Sequence, residues 1–121
     1  MSKKISEGEQ LARACAAAAA DKKAEDLVVL DMQGVSNFTD YFVICSAGSE
    51  PQLKAIATAI REQAREKFSR RPHSEDGFPV SQWVVLDYGE VIVHLFHTDK
   101  RELYGLENLW SDAQRLDLSD L

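Results

Sequence analysis

The sequence predicts an α/β domain, a mixed α+β sheet with helices packed on it, in the order α, β, β, α, β, β, α. Three observations predict it. Leu53, Ile56, Ala57, Ile60, Ala64 and Phe68 recur at i, i+3, i+4, i+7, i+11 and i+15, which lays one apolar stripe along a helix. Leu27 to Met32 and Tyr41 to Cys45 are short runs of β-branched and aromatic residues on either side of the turn cluster Gly34-Val35-Ser36-Asn37. Trp83 to Tyr88 and Glu90 to Phe96 are two further apolar runs, parted only at Tyr88-Gly89.

Each element has a local cause. Ser6 followed by Glu9 is a capping-box pattern, and Leu11, Cys15 and Ala18 then recur at helical spacing up to Asp21 and Lys22. Glu7 and Glu9 at its start and Lys22 and Lys23 at its end agree with the helix dipole. The next two runs are nearly continuous rather than alternating, so they read as central strands covered on both faces. Ser49 can cap the second helix, with Gln52 completing the box. Arg70 to Ser81 holds Pro72, Gly77 and Pro79 and reads as a surface loop. The Tyr88-Gly89 step suits a tight hairpin between antiparallel strands. Asp99 with Glu102 restarts a helix whose stripe is Leu103, Leu106 and Trp110. Residues 1–111 therefore form one domain, and 112–121 read as an acidic, flexible tail.

Composition narrows the function classes. With 121 residues, 45% apolar and 28% charged, the chain can bury one sizeable core. Its net charge of −6 argues against a dedicated nucleic-acid binder, which must neutralise phosphates, and suits a basic protein partner better. Lys3 and Lys4 before the run Ala14 to Ala20 echo a secretory signal, but Glu7, Glu9 and Arg13 spoil it and the run is too short to span a bilayer. The expected location is the cytoplasm. Cys15 and Cys45 lack metal-site spacing and read as buried small hydrophobes in a reducing compartment.

Several chemistries can be tested against spacing. Gly48-Ser49 between a strand and a helix is where a nucleotidyltransferase would hold a triphosphate, but such an enzyme needs two carboxylates at i, i+2 on one strand face. Asp87 and Glu90 are three apart and straddle a turn. His94, His97 and Asp99 make a poor metal set, because His94 and His97 point to opposite strand faces. Cys45 and His94 could meet as nucleophile and base, although a cysteine in an apolar run is usually inert. Lys54, Arg61, Arg65, Lys67, Arg70 and Arg71, interrupted by Glu62 and Glu66, read as a solvated mixed-charge face rather than an RNA contact. No catalytic residue, metal or cofactor is expected. The hairpin differs, since Trp83, Asp87, Tyr88 and Glu90 gather aromatic and acidic groups around one turn; they are either binding anchors or core residues of a half-buried sheet.

Three blocks carry a resemblance. Leu27-Val28-Val29-Leu30-Asp31-Met32-Gln33-Gly34 with Thr39-Asp40-Tyr41-Phe42-Val43-Ile44-Cys45-Ser46 looks like the first two strands of the ribosomal silencing factor (Iojap-like) family. Ser81-Gln82-Trp83-Val84-Val85-Leu86-Asp87-Tyr88-Gly89-Glu90-Val91-Ile92-Val93-His94 resembles that family's most characteristic block. Arg101-Glu102-Leu103-Tyr104-Gly105-Leu106-Glu107-Asn108-Leu109-Trp110 resembles its closing helix. The resemblance implies a nucleotidyltransferase-like core without an active site, and a protein that is not an enzyme. It implies binding to large-subunit ribosomal protein fourteen, a block on subunit joining, and repression of translation when nutrients are scarce. An alternative role in large-subunit biogenesis is implied by the organelle relatives. Carried over residue by residue, the partner-binding set is Trp83, Asp87, Tyr88 and Gly89, with Glu90 and Tyr104 as neighbours. A homodimer of the free protein, also implied, would have to dissociate if it covered the same face.

Overall fold

The first helix, α1 (Glu7–Asp21), begins where Ser6 takes an extended conformation and its hydroxyl accepts a hydrogen bond from the Glu9 amide at 3.1 Å. Its inner face buries Leu11, Ala12, Cys15, Ala16, Ala18 and Ala19, and these small side chains let the helix lie close to its neighbours. The computed structural model describes residues 5–76, 83–105, 108 and 110–121, and for 76 and 102–104 the backbone alone. After α1 the chain runs through β1 (Glu25–Asp31), β2 (Tyr41–Ala47), α2 (Glu50–Phe68), β3 (Ser74–Asp76), β4 (Trp83–Asp87), β5 (Val91–His97), α3 (Thr98–Tyr104) and β6 (Gln114–Arg115).

The strands form one sheet in the order β3-β4-β5-β2-β1-β6. The central pair β2 and β5 is parallel, with Tyr41 opposite Val91 and Ala47 opposite His97. The other pairings are antiparallel, including the expected β4–β5 hairpin. β2 is buried along its whole length, as its unbroken apolar run predicts, because both faces of the sheet are packed. One face carries Val29, Tyr41, Val43, Cys45, Leu86, Tyr88, Val93 and Leu95 in a single cluster with the inner faces of α1 and α2. The other carries Leu30, Met32, Phe42, Ile44, Ile92 and Phe96, with Trp83, Val85 and Trp110 packed at its margin.

α2 follows its sequence pattern closely. Ser49 caps it by accepting from the Gln52 amide, Pro51 sits in the first turn, and Leu53, Ile56, Ala57, Ile60 and Ala64 are buried. The Gln52 side chain departs from the expected box. Its amide donates to the carbonyls of Lys22 and Lys23 at 3.4 and 3.1 Å, tying the start of α2 to the turn after α1.

Three expectations are corrected. Ser74–Asp76, inside the expected loop, is an edge strand paired to β4; its polar residues give no apolar alternation, and the backbone supplies the pairing. Residues 77–81 of that loop lie outside the described residues. The expected tail also takes part in the fold: Gln114–Arg115 pairs with β1, Leu116 donates to the Val29 carbonyl at 2.9 Å, and Leu116 and Leu118 pack on the core. Arg13 donates to the carbonyl of Asp117 at 3.0 Å. A two-residue strand has no period to read. Finally, α3 is capped by the His97 ring rather than started by Asp99, and it stops at Tyr104, where Gly105 turns left-handed at φ +56°. Trp110 thus belongs to a turn beyond the helix and not to a continued helical stripe; Leu106 and the side chain of Leu103 lie outside the described residues.

Candidate partner-binding face

On β4, Trp83, Val85 and Asp87 point to the face opposite the one formed by Val84 and Leu86, which pack with α1 and α2. Tyr88 follows that second parity and is wholly buried. The expectation that Tyr88 presents its ring to a partner is therefore corrected: the ring is core. Its hydroxyl is buried without a hydrogen-bond partner among the described residues, and burial pushes its pKa upward.

Trp83 is half-buried. Its ring stacks on Phe96 with centroids 5.1 Å apart, and its indole N–H donates to Nδ1 of His94 at 3.2 Å. That bond makes Nδ1 the acceptor, so the neutral ring carries its proton on Nε2, which is buried and makes no hydrogen bond among the described residues. Burial pulls the His94 pKa down to about 4, against a smaller upward pull from Asp87. From His94 the contacts continue to Phe42 at 4.6 Å, and from Phe42 to Phe38 and Trp110 at 6.1 and 6.2 Å. The result is a row of aromatic rings across the sheet. It ends at Phe38, which is 59% exposed. Neither Phe38 nor this row was expected from the sequence; the available signal was a lone phenylalanine beside a turn cluster of small and polar residues.

The turn after β4 is rigidly built. Asp87 accepts a hydrogen bond from the Gly89 amide at 2.8 Å through one carboxylate oxygen. Gly89 takes φ +89°, and a Cβ there would lie 3.3 Å from the His73 ring, so two requirements hold the position as glycine. Glu90 does not face solvent freely. Arg70 grips it with both guanidinium nitrogens, one of them at 3.1 Å, and also donates to the Tyr88 carbonyl at 2.6 Å. The Arg70 hydrogen bond holds the Glu90 carboxyl below the usual carboxylate range. Glu90 is thus a turn-locking residue first. Arg70→Met is expected to cost about 2 kcal/mol of stability, since it strands a half-buried carboxylate and a carbonyl; urea denaturation checks it, and an unchanged midpoint would refute the assignment. Tyr104 closes α3, and its side chain lies outside the described residues.

The alternative chemistries do not assemble. Cys45 lies in the cluster with α1 and α2 while His94 stands on the opposite face, so nucleophile and base never meet. Burial pushes both thiols up to about 12, leaving Cys15 and Cys45 as free, inert cysteines. His97 accepts from the Asp99 amide at the start of α3. Among the described residues no three His, Cys, Asp or Glu side chains are grouped to hold a metal ion. Asp87 and Glu90 each hold their own turn contact, and Ser49 serves as a helix cap. Among the described residues no helix is long and apolar enough to cross a membrane.

Comparison with known proteins agrees with this reading of the blocks. The family described as "Ribosomal silencing factor during starvation" matches residues 5–121, including the segment expected as a tail. The chain is 48% identical over 103 residues to "Ribosomal silencing factor RsfS" of Bacillus subtilis, covering 85% of this chain and 86% of that one. It is 33% identical over 100 residues to the chloroplastic protein Iojap of Arabidopsis thaliana, covering 83% of this chain and 41% of that protein. A crystal structure from Bacillus halodurans superposes with a TM-score of 0.78 at 38% identity, covering 91% of this chain and 99% of that one. The family and the Bacillus subtilis relative are named as silencing factors and not as enzymes. The chain belongs to the ribosomal silencing factor family.

Proposed function

We propose that this protein represses translation by binding the large ribosomal subunit through ribosomal protein fourteen, occupying a surface that the small subunit needs and so blocking subunit joining when nutrients are scarce. The observation that carries the proposal is the aromatic row from Trp83 to the exposed Phe38 with Asp87 beside it. A large apolar anchor gains from desolvation in a contact, and a carboxylate beside it complements a basic ribosomal protein, adding orientation and encounter rate. The net charge of −6 acts in the same sense at longer range. Trp83, Asp87 and Gly89 form the proposed contact, Glu90 and Arg70 hold the turn in shape, and Tyr88 supports it from the core. The mechanism is steric and uses no cofactor. A cytoplasmic location fits this role.

The test is sedimentation of the purified protein with isolated large and small subunits, followed by a joining assay on the same material. Migration with the large subunit alone, together with fewer joined ribosomes, is the expected result. Binding to neither subunit would defeat the proposal.

A further inference from the structure

We propose that the arginine-lined cleft between α2 and β3 binds backbone phosphates of the large-subunit RNA, as a second contact beside the proposed protein interface. The cleft measures about 440 Å³ and is lined by Arg61, Arg65, Arg70 and Arg71 together with Glu62 and Glu75. Two of these arginines are already committed. Arg61 pairs with Glu75 on β3, and Arg70 pairs with Glu90 in the hairpin turn, so these bridges fix the walls. Arg65 and Arg71 are exposed, and their side chains make no ion pair or hydrogen bond among the described residues. Among the described residues they stand against one remaining lining carboxylate, Glu62, which is itself exposed. In a chain of net charge −6, this leaves a locally positive spot.

Its position suggests the occupant. Arg70 reaches both the Tyr88 carbonyl and Glu90, and His73 lies against Gly89, so the cleft adjoins the hairpin turn. This inference rests on the proposed docking of that hairpin, which would bring the cleft to the same ribosomal surface. The two neighbouring contacts would then have opposite signs: Asp87 suits a basic protein, while guanidinium forks match phosphate oxygens in a two-pronged geometry. A second basic protein segment would be repelled by Arg65 and Arg71. The cleft is open, as suits a backbone running past it.

The test uses the full chain and the double variant Arg65→Gln with Arg71→Gln, whose exposed, unpaired side chains are not needed for folding. Affinity for purified large subunits is measured across a potassium chloride series, beside affinity for isolated large-subunit ribosomal protein fourteen. The expected result is about a tenfold weaker affinity for the subunit near physiological salt, and a salt slope shallower by about one to two, with affinity for the isolated protein unchanged. An unchanged slope on the subunit would overturn the proposal. Equal losses on the subunit and on the isolated protein would also overturn it, since the arginines would then contact protein. If the wild-type chain binds ATP in a titration and the double variant does not, the cleft is a nucleotide site and not an RNA contact. If the wild-type chain binds neither the subunit nor the isolated protein, the docking reading itself has failed, a result distinct from an unchanged slope.

Discussion

Trp83→Ala is expected to weaken binding to the large subunit by about 2 kcal/mol or more, roughly thirtyfold, as for a central aromatic anchor. The same substitution acts on the fold. It removes the ring stacked on Phe96 and takes away the donor to His94, leaving a buried Nδ1 without its partner. Some loss of stability is therefore expected, and affinity must be measured on protein shown to be folded by its urea transition. Phe38→Ser separates the two effects. Phe38 is 59% exposed and sits at the end of the aromatic row, so its removal is expected to cost about 1 kcal/mol of binding and little stability. Should both folded variants sediment with the subunit as tightly as the parent chain, the aromatic row is not the contact.

The parts of this fold legible in the sequence are those with a local period or a local cap. The α2 stripe from Leu53 to Ala64 and the hydroxyl caps at Ser6 and Ser49 are where the pattern puts them, because a helix buries one face and must satisfy its first amides whatever the rest of the chain does. The run Tyr41 to Cys45 could be read as a central strand because only burial on both faces tolerates so many consecutive apolar residues.

Pairing partners that are distant in sequence left no such trace. β3 and β6 join the sheet through backbone groups, with side chains that remain polar, so composition marked them as loop and tail. The hairpin set was half legible. Its residues cluster in sequence, but Trp83 and Tyr88 are five apart, and strand alternation sends them to opposite faces. Deciding which face the helices cover needed the sheet order. It makes Tyr88 a core residue and Trp83 a half-buried one at the margin of the opposite face. Glu90 looked like an acidic contact because its partner, Arg70, sits twenty residues earlier, beyond any local rule.

His94 should give the fold a pH dependence of its own. Its folded pKa is about 4, against an ordinary value of 6.5, because burial among Phe42, Trp83 and Phe96 disfavours the imidazolium. The unfolded chain therefore binds a proton more readily than the folded one. Stability from the buried neutral ring is fully present above pH 6.5, and it declines as the pH falls from there toward 4. By pH 5 the loss should be about 2 kcal/mol, a large fraction of the stability of a domain this size. The contribution from Glu90 falls in a separate window. Its carboxyl is held low by Arg70, so that contribution is present above the ordinary value of 4.5 and is lost only as the pH falls below it. Between pH 6.5 and 5 the decline thus belongs mainly to His94. Urea midpoints across that range should drop for the parent chain and stay nearly level for His94→Gln, whose amide oxygen can still accept from Trp83 but cannot titrate. Parallel curves would show that His94 is not the group responsible.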